Sequence, residues 1–154
     1  MKKDHLLKIY ALISVFFLLL DQLFKYIART NPYLKIPFGT KWIGWEYFSN
    51  TGVAFSIPFP NLILIIITPI IIIFLVHFLT KQKKISWSSF GILLIIAGAI
   101  SNLIDRILFA TTIDYFRILT GVINLGDVII VAGASLLILE HWSKKEEGKG
   151  KTIK

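Results

Sequence analysis

Four apolar stretches constrain this chain more than any other feature, because each is long enough to cross a bilayer. A crossing takes about 20 consecutive, mostly apolar residues. Leu6–Ala28, Asn61–Thr80, Trp87–Phe109 and Gly121–Trp142 all meet that length. Composition agrees: 55% of the 154 residues are hydrophobic and the mean hydropathy is +0.72, whereas soluble domains are about 45–50% apolar. Pro69 lies inside the second stretch. It would end a soluble helix, yet membrane helices tolerate it where neighbours re-satisfy the backbone. The first stretch opens like a secretory signal, with Lys2, Lys3 and Lys8 around the start of an apolar run. It continues into "DQLFKYIA" and offers no small-residue cleavage site, so it reads as a retained helix.

The basic residues fix an expected orientation. Lys2, Lys3 and Lys8 accompany the first span; Lys81, Lys83 and Lys84 separate the second from the third. Lys144, Lys145, Lys149, Lys151 and Lys154 follow the fourth. With four spans these groups share one side, which the positive-inside rule makes cytoplasmic. Both termini are then inside, Trp87 and Trp142 mark the inner interface, and the formal charge of +8 needs no nucleic acid to explain it. The chain has no cysteine, which removes disulfides and thiol chemistry together. The expected organisation is one four-span domain over residues 1–143 and a polar, disordered cytoplasmic tail over 144–154.

The outward loop from Arg29 to Pro60 is too long for a plain connector. It holds three β-prone pieces, "YLKIP", "KWIGWEYF" and "GVAFSI", separated by the turn-like "FGT" and "SNTG". Trp42, Trp45, Tyr47 and Phe48 suit a small sheet resting on the membrane. The fold class is therefore an all-α membrane protein, four transmembrane helices carrying a small β-rich extracytoplasmic platform.

Against this background the buried polar residues stand out, since an Asp or Lys at the centre of a membrane helix costs about 2.5–3.5 kcal/mol on insertion scales. Asp21 and Lys25 sit at i and i+4 with the acid first, the favourable order for a helical pair. They read as a structural pair, or as a brace for a nearby site. Asn102, Asp105 and Arg106 share a face near the outer end of the third span. Arg106 held by Asp105 could brace two helices or clamp a peptide carbonyl. Asp127 is expected two turns into the fourth span, about 9 Å below its outer end at 1.5 Å per residue, with Asn124 one turn above. Asp114, in "TTIDYF", lies in the short second outer loop, flanked by Ile113, Tyr115 and Phe116 and apolar enough to dip into the interface.

The remaining chemistry is narrowed by exclusion. His5, His77 and His141 all map to the inner side, so no outward His–Ser or His–metal site can form. Ser49 and Ser56 with Lys35 and Lys41 permit a Ser–Lys hydrolase, but their spacing does not favour one. Two carboxylates close together cannot both ionise. One stays protonated and polarises a carbonyl while the other activates water, without metal or organic cofactor.

The chain resembles the lipoprotein signal peptidases, or signal peptidase II, bacterial membrane aspartyl peptidases. Five pieces in order carry the resemblance: "LDQLFK", "NTGVAFS", "AGAISNLIDR", "IDYF" and "INLGD". It implies Asp114 and Asp127 as the catalytic dyad, and Asn50 and Arg106 on the substrate backbone. Gly52, Asn102 and Asn124 join the substrate-facing set, while Asp21, Lys25 and Asp105 are structural polar residues. It implies prolipoprotein substrates cut before a diacylglyceryl-modified cysteine, with membrane lipids as further partners and no nucleic acid. The place is the bacterial cytoplasmic (inner) membrane, with the site near its outer face. The chain departs from the family's usual pattern at Ser101, Ile123 and Gly126, where Gly, Phe and Ala are usual. Two other classes fit the residues alone. One is a cation-coupled transporter with Asp21, Asp105 and Asp127 as relay; the other is a membrane scaffold with polar residues as interhelix glue.

Overall fold

A computed structural model describes residues 3–52 and 57–152. Four helices, each long and apolar enough to span a membrane, carry a four-stranded sheet at one end. The order is α1 (Lys3–Thr30), β1 (Lys35–Thr40), β2 (Ile43–Asn50), α2 (Asn61–Lys81), α3 (Trp87–Phe109), β3 (Thr112–Ile118), β4 (Gly121–Ile123) and α4 (Leu125–Thr152). The third span has the bounds its apolar pattern suggests.

The sheet is built differently from the expectation. Its strands run β1-β2-β3-β4, all antiparallel, so the α1–α2 and α3–α4 connections contribute two strands each. Asp114 is therefore not on a dipping loop; it lies in β3, opposite Phe48 of β2. The register shifts between Trp45 and Phe48. Such a bulge bends the strand beside Asp114. The piece "GVAFSI" falls largely on residues 53–56, outside the described residues, as does Ser56. On the exposed face Glu46 accepts an ion pair from Lys35 at 2.7 Å and another from Arg117, which hold its carboxyl below the usual range, the Lys35 bond contributing most.

Two ends of helices also differ. Gly121–Ile123 was expected to open the fourth span but forms β4, and the helix starts at Leu125. Asp127 thus lies in the first turn and not two turns down. At the other end α4 continues to Thr152, through a stretch expected to be disordered; Glu140 and Lys144 pair across one turn there.

Close packing of α3 on α4 is set by glycines seven residues apart on each helix. A Cβ on Gly91 would stand 2.6 Å from the Gly133 carbonyl oxygen, and one on Gly98 would overlap that of Gly126. Small residues are what let membrane helices approach this closely. Ser86 caps α3 in a reciprocal box with Ser89, and Ala110 ends it in the left-handed region at φ 60°. That turn feeds the chain straight into β3. One apolar cluster, Ala28, Ile113 and Tyr115, lies under the sheet; another, Leu94, Ala97 and Ile129, lies between the helices. α2 packs on α3 and buries none of its residues.

Candidate active site

Asn124 and Asp127 owe their positions to a helix start. The Asn124 Oδ1 accepts the Asp127 N–H at 2.8 Å, the bond of an N-cap. The "Asn-x-x-Asp" spacing here is thus a cap and the third residue of the first turn. The same spacing at Asn102 and Asp105 lies within α3 and does another job.

With its Oδ1 engaged in the cap, Asn124 turns its amide nitrogen to Asp114. Asn124 Nδ2 donates to Asp114 Oδ1 at 2.6 Å, and Asn50 Nδ2 donates to Asp114 Oδ2 at 2.9 Å. Asn50 is itself fixed, because its Oδ1 accepts the Gly52 N–H at 2.9 Å. Asp114 is fully buried. Burial, reinforced by the charge of Asp127, pushes its carboxyl up to about 7, against the pull of the two amides. Asp127 is half-buried and takes a bond from Asn102 Nδ2 on its Oδ1 at 2.9 Å. Two carboxyl groups that feel each other's charge, each held by amide donors, therefore occupy the sheet end of the bundle.

Beneath them is a closed ionic network. Lys25 Nζ lies 2.8 Å from Asp21 and 3.0 Å from Asp105, and donates to Asn102 Oδ1 at 2.8 Å. All four residues are buried. Asp105 also accepts the Ile113 N–H at 3.0 Å, which ties α3 to β3. The expectation that Asp105 holds Arg106 gives way here: Asp105 serves Lys25, Gln22 and Ile113. Arg106 instead donates from Nη2 to the Gly52 carbonyl at 3.3 Å, so the peptide carbonyl it holds is the chain's own. It stays within electrostatic reach of Asp127, Asp114 and Asp105. The close approach that Gly52 permits is likewise internal, since a Cβ there would overlap the Ile57 carbonyl.

Three members of this network were given no polar role from sequence. Ser101 donates to Asp21 at 2.5 Å, and Gln22 reaches both Ser101 Oγ (2.8 Å) and Asp105 (3.2 Å). Tyr115 donates to Asp21 Oδ1 at 2.8 Å and accepts the Leu125 N–H at 2.9 Å, joining α1 to the start of α4. Burial raises its phenol's pKa, so it remains a hydroxyl. A signal existed for Ser101, four residues before Asp105 on one helical face, and for Gln22, polar within a span. Tyr115 offered none, because an aromatic beside an interfacial loop reads as an anchor. Gly126 completes the packing: a Cβ there would stand 2.9 Å from Asn124 Oδ1, 3.0 Å from Asp21 Oδ2 and 3.2 Å from Asn102 Oδ1.

Residues 13–143 match the peptidase family described as Signal peptidase (SPase) II. The lipoprotein signal peptidase of Halothermothrix orenii is 38% identical over 136 residues, covering 85% of this chain and 93% of that protein. That of Bartonella henselae is 37% identical over 144 residues, covering 82% and 86%. Among solved structures, a bacterial membrane enzyme determined in meso at 2.3 Å superposes with a TM-score of 0.83 at 28% identity, over 91% of each chain. Another, at 1.9 Å, gives 0.76 at 29% identity, over 86% of this chain and 92% of the other.

Proposed function

Because the chain belongs to the signal peptidase II family, and is thus a multi-pass membrane peptidase that processes lipoprotein signal peptides, we propose that Asp114 and Asp127 form its catalytic dyad. The observation that carries this reading is the pair itself. Two carboxyls, one buried and one half-buried, lie within electrostatic reach of each other at one end of a membrane bundle, and Asp114 is raised to about 7. At neutral pH such a pair holds one proton between two sites, the state an aspartyl peptidase needs.

The reaction then uses only the chain's own groups and water. The ionised acid takes a proton from water, and the oxygen attacks the scissile carbonyl carbon. The protonated acid donates to the developing oxyanion. As the C–N bond breaks, the acid that took the water proton gives it to the leaving amine, and the other carboxylate takes back the hydroxyl proton of the collapsing diol, so the pair again holds one proton. Asn50 and Asn124 orient Asp114, and Asn102 orients Asp127. Arg106 and the Asn50–Gly52 turn lie at the edge where the substrate backbone approaches. The substrate is a prolipoprotein cut before a diacylglyceryl-modified cysteine, at the outer face of the bacterial inner membrane, with both termini cytoplasmic. The distribution of lysines supports that sidedness.

The ion-paired state of Asp21 and Asp105 favours a peptidase over a transporter. Lys25 pairs with both, and Tyr115, Ser101, Gln22 and the Ile113 N–H donate to their oxygens as well, so neither carboxylate stands open to pass a cation onward. The test is cleavage of a diacylglyceryl-modified prolipoprotein by the purified protein, followed by gel shift, for wild type and Asp127→Asn. The expected result is an active wild type and a folded, inactive variant. Equal cleavage by both removes Asp127 from the mechanism, and no cleavage by either removes the reading.

A further inference from the structure

The end of the bundle opposite the sheet carries a cavity of about 750 Å³, where α2 ends, α3 begins and α4 passes both. Lys83, Lys84, Lys144 and His141 line it, together with one carboxylate, Glu140. Glu140 is already engaged: it pairs with Lys144 one turn on and accepts the Ser88 N–H at 2.6 Å. Lys83 and Lys84 are exposed, and among the described residues neither forms an ion pair. The linker that carries them is held at both ends. The Gln82 N–H donates to the Leu79 carbonyl at 3.2 Å, and the Ser89 hydroxyl donates to the Gln82 side chain while accepting the Ser86 N–H at 3.1 Å. Phe78 and Leu137 give the cavity an apolar side. From Phe78 a row of exposed apolar side chains, Phe74, Ile70 and Ile67, runs along α2 at helical spacing. Trp87 and Trp142, both exposed, mark this depth as the headgroup level, where such rings collect.

We propose that this cavity binds one anionic glycerophospholipid of the leaflet opposite the sheet, with its phosphate at Lys83 and Lys84 and an acyl chain along Phe78 and Phe74. The proposed sidedness makes that leaflet the inner one, but the site is independent of the chemistry at the dyad. Charge selects the anion. Three lysines face one glutamate, and Lys144 neutralises it, so the charges of Lys83 and Lys84 are left over. A zwitterionic headgroup brings its own cation to those two lysines, whereas an anionic one does not. The start of α3 adds little, because Glu140 takes the Ser88 N–H and the cap takes that of Ser86. Position selects a lipid over a free anion. The lysines stand at the headgroup level, and the apolar row that starts at Phe78 leads from them into the bilayer. Basic pockets between membrane helices suit anionic headgroups for this reason. α2 buries none of its own residues, so a lipid lodged between its end and α4 supplies a contact the helix lacks.

Native mass spectrometry of the full chain in detergent tests this, with dioleoylphosphatidylglycerol and dioleoylphosphatidylcholine titrated separately. Wild type is compared with Lys83→Gln/Lys84→Gln and with Lys35→Gln/Lys41→Gln. Wild type should bind the anionic lipid more tightly than the zwitterionic one. Lys83→Gln/Lys84→Gln should lower that preference about thirtyfold, the effect of two lysines at an anionic surface. Lys35→Gln/Lys41→Gln removes the same charge at the sheet end and should keep the preference. Equal loss in both variants, or loss in neither, would overturn the proposal. Glycerol phosphate in millimolar excess should leave the phosphatidylglycerol bound. Displacement by it would mean that the lysines take a free phosphate, and would overturn the lipid as occupant. A second measurement uses wild type alone and so does not depend on how the variants fold. Phosphatidylglycerol with a diazirine near the carboxyl end of one acyl chain should label Phe74, Phe78 or Leu137, well above the matching phosphatidylcholine. Equal labelling of these residues by the two lipids would also overturn the proposal.

Discussion

The Asn102 side chain joins the buried lysine to the candidate catalytic acid: its Oδ1 accepts from Lys25 Nζ at 2.8 Å while its Nδ2 donates to Asp127 at 2.9 Å. The cation therefore fixes which way the amide points, and the amide fixes the rotamer of Asp127. A charge deep in α1 orients a group on α4 without touching it.

Removing Lys25 should accordingly damage stability and site together. Lys25→Met leaves Asp21 and Asp105 buried without their cation. Breaking one partner of a buried pair costs about 3–5 kcal/mol. A thermal unfolding midpoint well below wild type in detergent is expected, and an unchanged midpoint would contradict the network.

Removal of the candidate catalytic acid Asp127 should spare the fold. Asp127→Asn keeps an acceptor for the Asn102 amide, and the Asn124 cap uses only the backbone N–H at position 127. Loss of a general acid–base group lowers the rate by about 10²–10⁴-fold. The gel-shift assay should show that loss with an unfolding midpoint near wild type.

The pH profile should carry the signature of Asp114. Its carboxyl ionises at about 7 in the fold, so the shared proton is lost above that value and kcat/KM should fall on the alkaline side. The apparent value belongs to the pair and not to one residue. Stability has a definite sign as well. The unfolded chain releases this proton near 3.9, so between about 4 and 7 the fold holds a proton that the unfolded chain lacks. Asp114's contribution therefore declines as pH rises through that window and levels off above it.

Asn50→Ala should move the alkaline limb upward. The Asn50 amide favours the ionised form of Asp114, and without it the proton is held to a higher pH. A limb that stays put, or moves down, would show that Asn50 acts elsewhere.

Gly98→Val should separate α3 from α4 just below the site. A side chain there meets the Gly126 carbonyl, which is backbone and cannot rotate away. Overpacking costs about 1–3 kcal/mol. Activity should drop further than stability alone explains, because the displaced segment carries Asp127.

Much of this architecture is legible in the chain. Apolar length alone finds the four spans, and for α3 the bounds Trp87–Phe109 follow from it directly. Polar residues inside those spans identify most of the network, and the structure brings Asn50, Asp114 and Asn124 into contact, and Asn102 with Asp127. The start of α4 was not legible. Three apolar residues, Gly121–Ile123, read the same in a buried strand as in a membrane helix, and only pairing with Phe116, Arg117 and Ile118 decides between them. The partner of Asp105 was hidden for a similar reason. Its sequence neighbour Arg106 is a cation, but adjacent helical residues do not face each other, and the nearer cation comes from another helix.

The sheet has a consequence in time. Asn50 on β2 and Asp114 on β3 bind each other across a strand pair, yet the chain between them crosses from the sheet end and back through α2 and α3. Asn124 and Asp127 follow later still, at the entry to the last helix. During synthesis no earlier fragment contains the whole constellation of Asn50, Asp114, Asn124 and Asp127. The proposed dyad is complete only with the start of the final crossing.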